Sequence, residues 1–231
     1  MGQDSIKMEK VLFCWSGGKD SALAFYELTR SKDYEVVSLL TTITADYDRI
    51  SMHGVRRVLL EQQAHNLGVP ICEVTISKNC SNEEYELKMV NALSKFQKEG
   101  VSSVAFGDIF LEDLRKYRED NLAKLGMKGI FPIWGRNTTE LSRSLATLGF
   151  HAITTCIDTR KLDNKFAGRI IDEQFLTELP PGIDPCGENG EYHSFVFDMP
   201  NFKNRIAFTT GEKVLRDSFF YFCDLLPVEA N

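Results

Sequence analysis

Long apolar runs are missing from this sequence. No stretch of its 231 residues approaches the ~18 that suggest a membrane span, so no membrane partner is expected. The N-terminal stretch MGQDSIKMEK lacks the apolar core of a secretory signal. It opens Met-Gly, but Ile6 stands where a myristoylation signal wants Ser or Thr, and the expected address is the cytoplasm. Cationic excess is missing too: 27 Lys and Arg against 33 Asp and Glu give a net charge of −6. Nucleic-acid binders draw much of their affinity from phosphate neutralisation, so RNA or DNA is not the expected partner. Cysteine comes without pairing. Cys14, Cys72, Cys80, Cys156, Cys186 and Cys223 form no C-x-x-C and no zinc-like spacing, and in a reducing compartment they read as thiols in apolar surroundings. His53, His65, His151 and His193 form no H-x-x-x-H pair, and no dedicated transition-metal site is expected.

What is present is ordinary globular usage, with 43% hydrophobic and 26% charged residues on a chain long enough for a sizeable core. Short β-branched or apolar runs alternate with longer amphipathic ones. Strands are expected at Val11 to Trp15, Val36 to Ile43, Ile71 to Ile76 and Val101 to Phe106. Helices are expected at Ser21 to Thr29, His53 to Leu67, Asn82 to Glu99 and Leu111 to Leu125. Strict alternation implies right-handed crossovers and a doubly wound α/β domain, a parallel sheet covered on both faces with chain order 3-2-1-4. After about Asn137 the rhythm loosens. A helix near Thr138 to Leu148, a strand at His151 to Ile157, a Pro- and Gly-rich loop at Pro180 to Gly190 and strands at Tyr192 to Phe197 and Arg205 to Leu215 suggest a smaller α+β region, with Thr210-Gly211 as a turn. The expected division is 1–137 for the doubly wound domain and 138–231 for the smaller region.

The strongest local signal is Ser16-Gly17-Gly18-Lys19-Asp20-Ser21, which follows the first strand and opens the first helix. Two glycines let the backbone turn sharply and bring N–H groups to an anion, while the helix points its positive end at the same place. Lys19 adds a full charge, and Ser16 and Ser21 offer hydroxyls. Asp20 either binds Mg²⁺ or caps the helix. The loop has neither Walker A nor dinucleotide spacing.

Three further clusters stand out. Gly107-Asp108 ends the fourth strand on the same sheet edge, where a carboxylate can hold Mg²⁺ between phosphate oxygens or cap the next helix. In that helix Arg118 shares a stripe with Leu111, Leu114, Leu122 and Leu125, and an arginine there needs an anion: a structural carboxylate, or a phosphate or substrate carboxylate. Asp184 to Tyr192 carries Glu188 and Glu191 on a glycine-bracketed loop, suited to an ammonium or a second Mg²⁺, or simply a solvated turn.

SGGKDS after a first strand resembles the signature of the PP-loop ATP pyrophosphatases, a superfamily that includes GMP, NAD, asparagine and argininosuccinate synthetases and several tRNA-modifying enzymes. The resemblance implies that residues 16 to 21 hold the pyrophosphate end of ATP while a nucleophile attacks the α-phosphate. A closer likeness covers about residues 10 to 200. The segment from Gly107 into the arginine-bearing helix, Trp134-Gly135-Arg136-Asn137 as W-x-R-N, and Cys186 to Tyr192 as C-G-E-x-G-E-Y look like the diphthine–ammonia ligase family. That likeness implies an adenine site at Thr41, Thr42 and Ser51-Met52-His53. It implies catalytic work for Lys19, Asp108, Arg118, Glu188 and Glu191, and substrate contacts from Arg115, Trp134, Arg136, Asn137 and Tyr192. In the family, ATP adenylates the carboxylate of diphthine, a modified histidine on the translocation elongation factor, and ammonia converts the acyl-adenylate to an amide. The chain departs from eukaryotic members in carrying Asp113-Leu114-Arg115 where they have Tyr-Gln-Arg, and its short form also looks like bacterial relatives.

Other readings remain beside this one: a PP-loop enzyme that modifies tRNA, an amidoligase for a small carboxylic acid, and a nucleotide sensor. The first usually needs a reactive cysteine pair or a basic tRNA-binding domain, which the sequence does not show. No glutamine-hydrolysing domain fits, so free ammonium or a partner must supply the nitrogen. A homo-oligomer is compatible with the sequence.

Overall fold

In the computed structural model residues 8–228 are described. Residues 1–7 and 229–231 lie outside the described residues, together with the N-terminal signals read above and the outer ends of the two expected regions. The first strand, β1 (Glu9–Cys14), settles where the helices go. Val11, Leu12 and Phe13 are all fully buried, and successive side chains point to opposite faces. Val11 and Phe13 enter one apolar core, and Leu12 enters another. Both faces of the strand are therefore covered.

The chain continues as α1 (Lys19–Arg30), β2 (Tyr34–Thr44), β3 (Arg49–Ile50), α2 (Arg57–Leu67), β4 (Ile71–Ile76), α3 (Asn82–Lys98), β5 (Ser103–Ala105), α4 (Glu112–Ala123) and β6 (Lys128–Ile130). Strands β4, β2, β1, β5 and β6 lie side by side and parallel, which contains the expected order 3-2-1-4. Strand β6 was not foreseen, being three residues long and too short to show a period. Helices α1 and α2 pack on the Val11 and Phe13 face, α3 and α4 on the Leu12 face.

Helix α2 begins at Arg57, not at His53. Residues 51–54 instead form a turn in which Met52 has φ 68°, a left-handed conformation that an α-helix does not contain. Ile43 of β2 pairs with both Ile50 of β3 and Thr75 of β4, so β3 takes the side that β1 leaves free beyond Cys14. The turn thereby hangs over the carboxyl end of β1.

The second half contains α5 (Thr138–Thr147), β7 (His151–Asp158), α6 (Glu173–Glu178), β8 (Tyr192–Asp198), β9 (Phe208–Arg216) and β10 (Phe220–Pro227). Its four strands form an antiparallel sheet ordered β8-β7-β10-β9. The expected turn at Thr210-Gly211 is overturned: both residues lie inside β9, and the chain reverses at Asp217 and Ser218, both at positive φ. Gly211 serves close approach, since a Cβ there would lie 3.2 Å from Leu226 Cγ.

Strand β10 is tied to the β2–β3 hairpin. Asp224 accepts from Arg49 Nη1 at 2.7 Å and from Arg56 Nε and Nη2 at 3.1 and 2.7 Å. Arg49 Nη1 also donates to the Gly54 carbonyl at 2.8 Å, which pins the 51–54 turn. Burial alone would raise the Asp224 pKa, but the hydrogen bonds and charges of the two arginines outweigh it and hold it at about 2. The clamp's contribution is full above the ordinary 3.8 and is lost as pH falls through about 2. Asp224→Asn should cost about 2 kcal/mol at neutral pH, with the gap to the parent closing toward pH 2 in thermal melts. Equal melting temperatures at pH 7 would remove the clamp from the fold's support.

Candidate active site

A cavity of about 400 Å³ opens at the carboxyl ends of β1, β2 and β5, the place where open α/β sheets receive ligands. Its floor is the phosphate loop, with Ser16, Lys19, Asp20 and Ser21 in the wall. Gly17 makes the sharp turn at φ 75°, and a Cβ on it would meet Gln63 Oε1 at 2.5 Å. Gly107 is needed for contact: a Cβ there would sit 2.8 Å from the Ser21 backbone, so the end of β5 touches the start of α1. Thr41 and Thr42 at the end of β2 and the Ser51–His53 turn form a second wall.

The other side belongs to the C-terminal half. The Val196 N–H donates to the Gly17 carbonyl at 2.9 Å, and the Lys19 N–H donates to Ser194 Oγ at 3.1 Å. Lys19 is 2% exposed. Its ammonium donates to Asp20 Oδ1 and Oδ2 at 2.9 and 2.7 Å and to the Cys186 carbonyl, and lies 5.0 Å from the centre of the Tyr192 ring. Burial opposes the charge, but Asp20 and the other neighbours more than offset it, so the pKa is raised and the ammonium persists. Asp20 makes no side-chain cap on α1; Lys19 engages it instead.

Arg118 points back across the sheet edge, donating to Asp108 Oδ2 and Oδ1 at 2.6 and 3.1 Å and lying 4.4 Å over the Phe106 ring. The anion that the leucine stripe demanded is thus a carboxylate of this chain, and both groups line the cavity. The stripe itself divides: Leu111 and Leu114 face the cavity, while Leu122 joins the α3–α4 core with Leu125 against it.

Glu188 and Glu191 differ sharply. Glu188 lines the cavity and accepts from the Ile109 N–H at 2.8 Å, and burial pushes its pKa up to about 7 against that hydrogen bond. Glu191 is 3% exposed and is not in the cavity wall. Its Oε1 accepts from the Asp184 N–H and from Asn189 Nδ2, both at 3.2 Å, bracing the loop that presents Glu188. Tyr192 lines the cavity, with its hydroxyl donating to the Pro185 carbonyl at 2.6 Å.

The W-x-R-N segment and Arg115 stand outside the cavity. Asn137 caps α5 by accepting from the Glu140 N–H at 3.0 Å, Arg136 pairs with Glu27, and Arg115 lies 4.8 and 4.7 Å over Phe131 and Trp134. Conversely, three contributors went unforeseen: His193, Ser194 and Gln63. His193 packs on His53 with ring centres 4.6 Å apart, and His53 Nδ1 lies 3.2 Å from the Ser194 carbonyl. Burial drives both imidazole pKa values down, His53 to about 4, so both rings are neutral at pH 7. His193 and Ser194 could have been marked from CGENGEYHSF; Gln63, polar on a helix, gave no signal.

Among the described residues every cysteine is a free thiol. Cys14 alone of the six lines this cavity, and burial pushes its pKa up to about 12, which leaves it a poor nucleophile. No helix among the described residues is long and apolar enough to cross a membrane.

Comparison with known proteins covers both halves of the chain. The family described as diphthamide synthase N-terminal domain matches residues 9–129, and diphthamide synthase C-terminal domain matches residues 137–224. Among curated relatives, a diphthine–ammonia ligase from Mus musculus is 31% identical over 232 residues, covering 88% of this chain and 84% of the relative. That from Rattus norvegicus is 28% identical over 233 residues with the same coverage. Among solved structures, a predicted subunit of tRNA methyltransferase from Methanocaldococcus jannaschii overlaps 63% of this chain and 77% of its own at 21% identity, with a TM-score of 0.42. The fold assignment rests on the strand order itself.

Glu188 and His53 bend the pH dependence of stability in opposite directions. Glu188 favours the folded state fully below its ordinary 4.5 and loses that contribution as pH rises through about 7. His53 contributes above its ordinary 6.5 and is lost as pH falls through about 4. Glu188→Gln removes the first slope alone. Its melting temperature should climb relative to the parent between pH 4.5 and 7, whereas a pH-independent difference would mean that Glu188 titrates normally.

Proposed function

This chain belongs to the diphthamide synthase family, and on that premise we propose that it is an AMP-forming, ATP-dependent amide ligase acting on a carboxylate and ammonia. One observation carries the reading: a buried phosphate loop and a carboxylate with a pKa of about 7 share one cavity. The first suits activation by ATP; the second suits handling ammonium.

In the first half-reaction the triphosphate lies on the loop and the N-terminus of α1, with Lys19 and the Ser16 and Ser21 hydroxyls on its oxygens. The nucleoside extends toward Thr41, Thr42 and His53, and the neutral rings of His53 and His193 add no competing charge. A substrate carboxylate oxygen attacks the α-phosphorus, pyrophosphate leaves, and an acyl-adenylate remains. Arg118, held in orientation by Asp108, supplies positive charge opposite the negative charge that develops on the phosphoryl oxygens. Mg²⁺ is bound in such sites by one or two carboxylates together with substrate phosphates. Asp20 and Asp108 both line the cavity and are the carboxylates that would hold the ion, each paired with a cation of this chain, Lys19 and Arg118. The ion would neutralise phosphate charge.

In the second half-reaction Glu188 attracts ammonium and accepts its proton. The resulting ammonia attacks the acyl carbon, and AMP leaves with the carboxyl oxygen. Glu191 acts one step removed, by shaping the loop. The relatives' names point to diphthine on a protein as the acceptor. The half-buried Arg115 and Trp134 and the exposed Arg136 lie outside the cavity, where a macromolecular substrate would meet them. We assign residues 1–137 to ATP and 138–231 to completing the site.

With a carboxylate acceptor, ammonium and Mg²⁺, ATP should yield AMP and pyrophosphate; ADP and phosphate on chromatography would sink the reading. Glu188→Gln should keep ATP binding and acyl-adenylate or AMP formation while lowering amide yield by on the order of 100-fold. Amide formation in the parent should rise with pH through about 7 and lose that rise in the variant. Activity with small carboxylic acids but not with the protein would redirect the substrate without changing the chemistry.

A further inference from the structure

The geometry points to Gln63 of α2 as a positioning residue that holds the phosphate loop in the shape that receives the pyrophosphate end of ATP. This rests on the function proposed above and adds to it a group that never touches the ligand. Gln63 is 0% exposed and is not part of the cavity wall.

All of its amide's principal valences are used. Oε1 accepts from the Trp15 indole Nε1–H at 2.9 Å, and Nε2 donates to the Gly17 carbonyl at 3.0 Å and to the Val196 carbonyl at 2.6 Å. Trp15 precedes Ser16, Gly17 follows it, and Val196 is on the strand that donates back to Gly17. One side chain therefore ties the residues on either side of Ser16 to β8.

The orientation is forced. Turned over, the amide would set NH₂ against the indole N–H and oxygen against two carbonyls. Its position is fixed as tightly, because Gly17 at φ 75° brings its α-carbon so near that a Cβ would fall 2.5 Å from Oε1.

A role in packing alone does not explain the choice. Burying an amide costs free energy unless its partners are all supplied, and an apolar side chain of the same bulk would strand the buried Trp15 indole N–H. What the amide provides and a hydrocarbon cannot is direction. It sets where the Gly17 carbonyl points, and so where the N–H groups that follow in the loop point. Ligand affinity then depends on it, through Gly17, with no direct contact.

Two substitutions separate direction from volume. Gln63→Met keeps the bulk and removes all three hydrogen bonds. Gln63→Glu keeps the outline and the acceptor for Trp15 but, when ionised, turns oxygen toward two carbonyls. Full-length protein is titrated calorimetrically with pyrophosphate and Mg²⁺, and the Trp15 indole N–H resonance, identified by its loss in Trp15→Phe, is followed through the same titration. The expected result is a loss of pyrophosphate affinity of about tenfold or more in both variants, a comparable rise in KM for ATP, and a Trp15 resonance that no longer responds as in the parent. Folded variants that bind pyrophosphate and shift the indole as the parent does would overturn the proposal. Should neither variant fold, Trp15→Phe cuts the bridge at its other end: weakened pyrophosphate binding supports the proposal and parental affinity overturns it. A parent that binds no pyrophosphate defeats both this inference and the ATP reading; a parent that binds it but never releases AMP from ATP defeats the ligase reading alone.

Discussion

The C-terminal half holds the phosphate loop from outside. Val196 donates to the Gly17 carbonyl, Ser194 accepts from the Lys19 N–H, and the Cys186 carbonyl accepts from the Lys19 ammonium. A cation this deeply covered is tolerable only with its charge matched, and Asp20 supplies the match on both oxygens. The loop's sequence alone would make an anion site open to water. Docking of β8 makes it a walled one, in which each electrostatic contact counts for more. The antiparallel sheet is thereby part of the cavity, and the Asp224 clamp secures the opposite rim through the hairpin that leads into the His53 turn.

The same enclosure explains the spread of proton affinities around one cavity. Burial lifts Glu188 to about 7 and Cys14 to about 12 while it lowers His53 to about 4. Each of these shifts disfavours charge, and Lys19 and Arg118, each with a carboxylate in contact, move the other way despite their burial. A cavity that keeps its thiol protonated and its imidazoles neutral leaves Glu188 as the group poised to exchange a proton near neutrality. This is the physical ground for placing the ammonia step there and for setting thiol chemistry aside.

Much of the first half was legible because its signals are local. Val11 to Trp15 followed by SGGKDS specifies strand, loop and helix within twenty residues, and alternation then gives the sheet order. Arg118 could be marked as needing an anion, but spacing could not say that the anion was Asp108, ten residues away and turned back from the end of β5. The second half was harder to read. Gly211 looked like a turn because glycine usually is one, yet here it makes room for Leu226 and Asp224 on a strand with no clear pattern of its own. Glu188 and Glu191 looked equivalent, and only burial separates a cavity group from a brace. Gln63 was invisible for a general reason: a polar residue on a helix reads as solvent-facing until its partners, 46 to 133 residues away, are known.

The central claim is that the phosphate loop and β8 form one ligand site. Amide hydrogen exchange, with and without MgATP, addresses it most directly, since it reports local opening residue by residue. The account predicts that the nucleotide slows exchange both at the loop and first turn of α1 and across Tyr192 to Val196. Protection confined to the first half of the chain, with β8 exchanging as in the free protein, would contradict it.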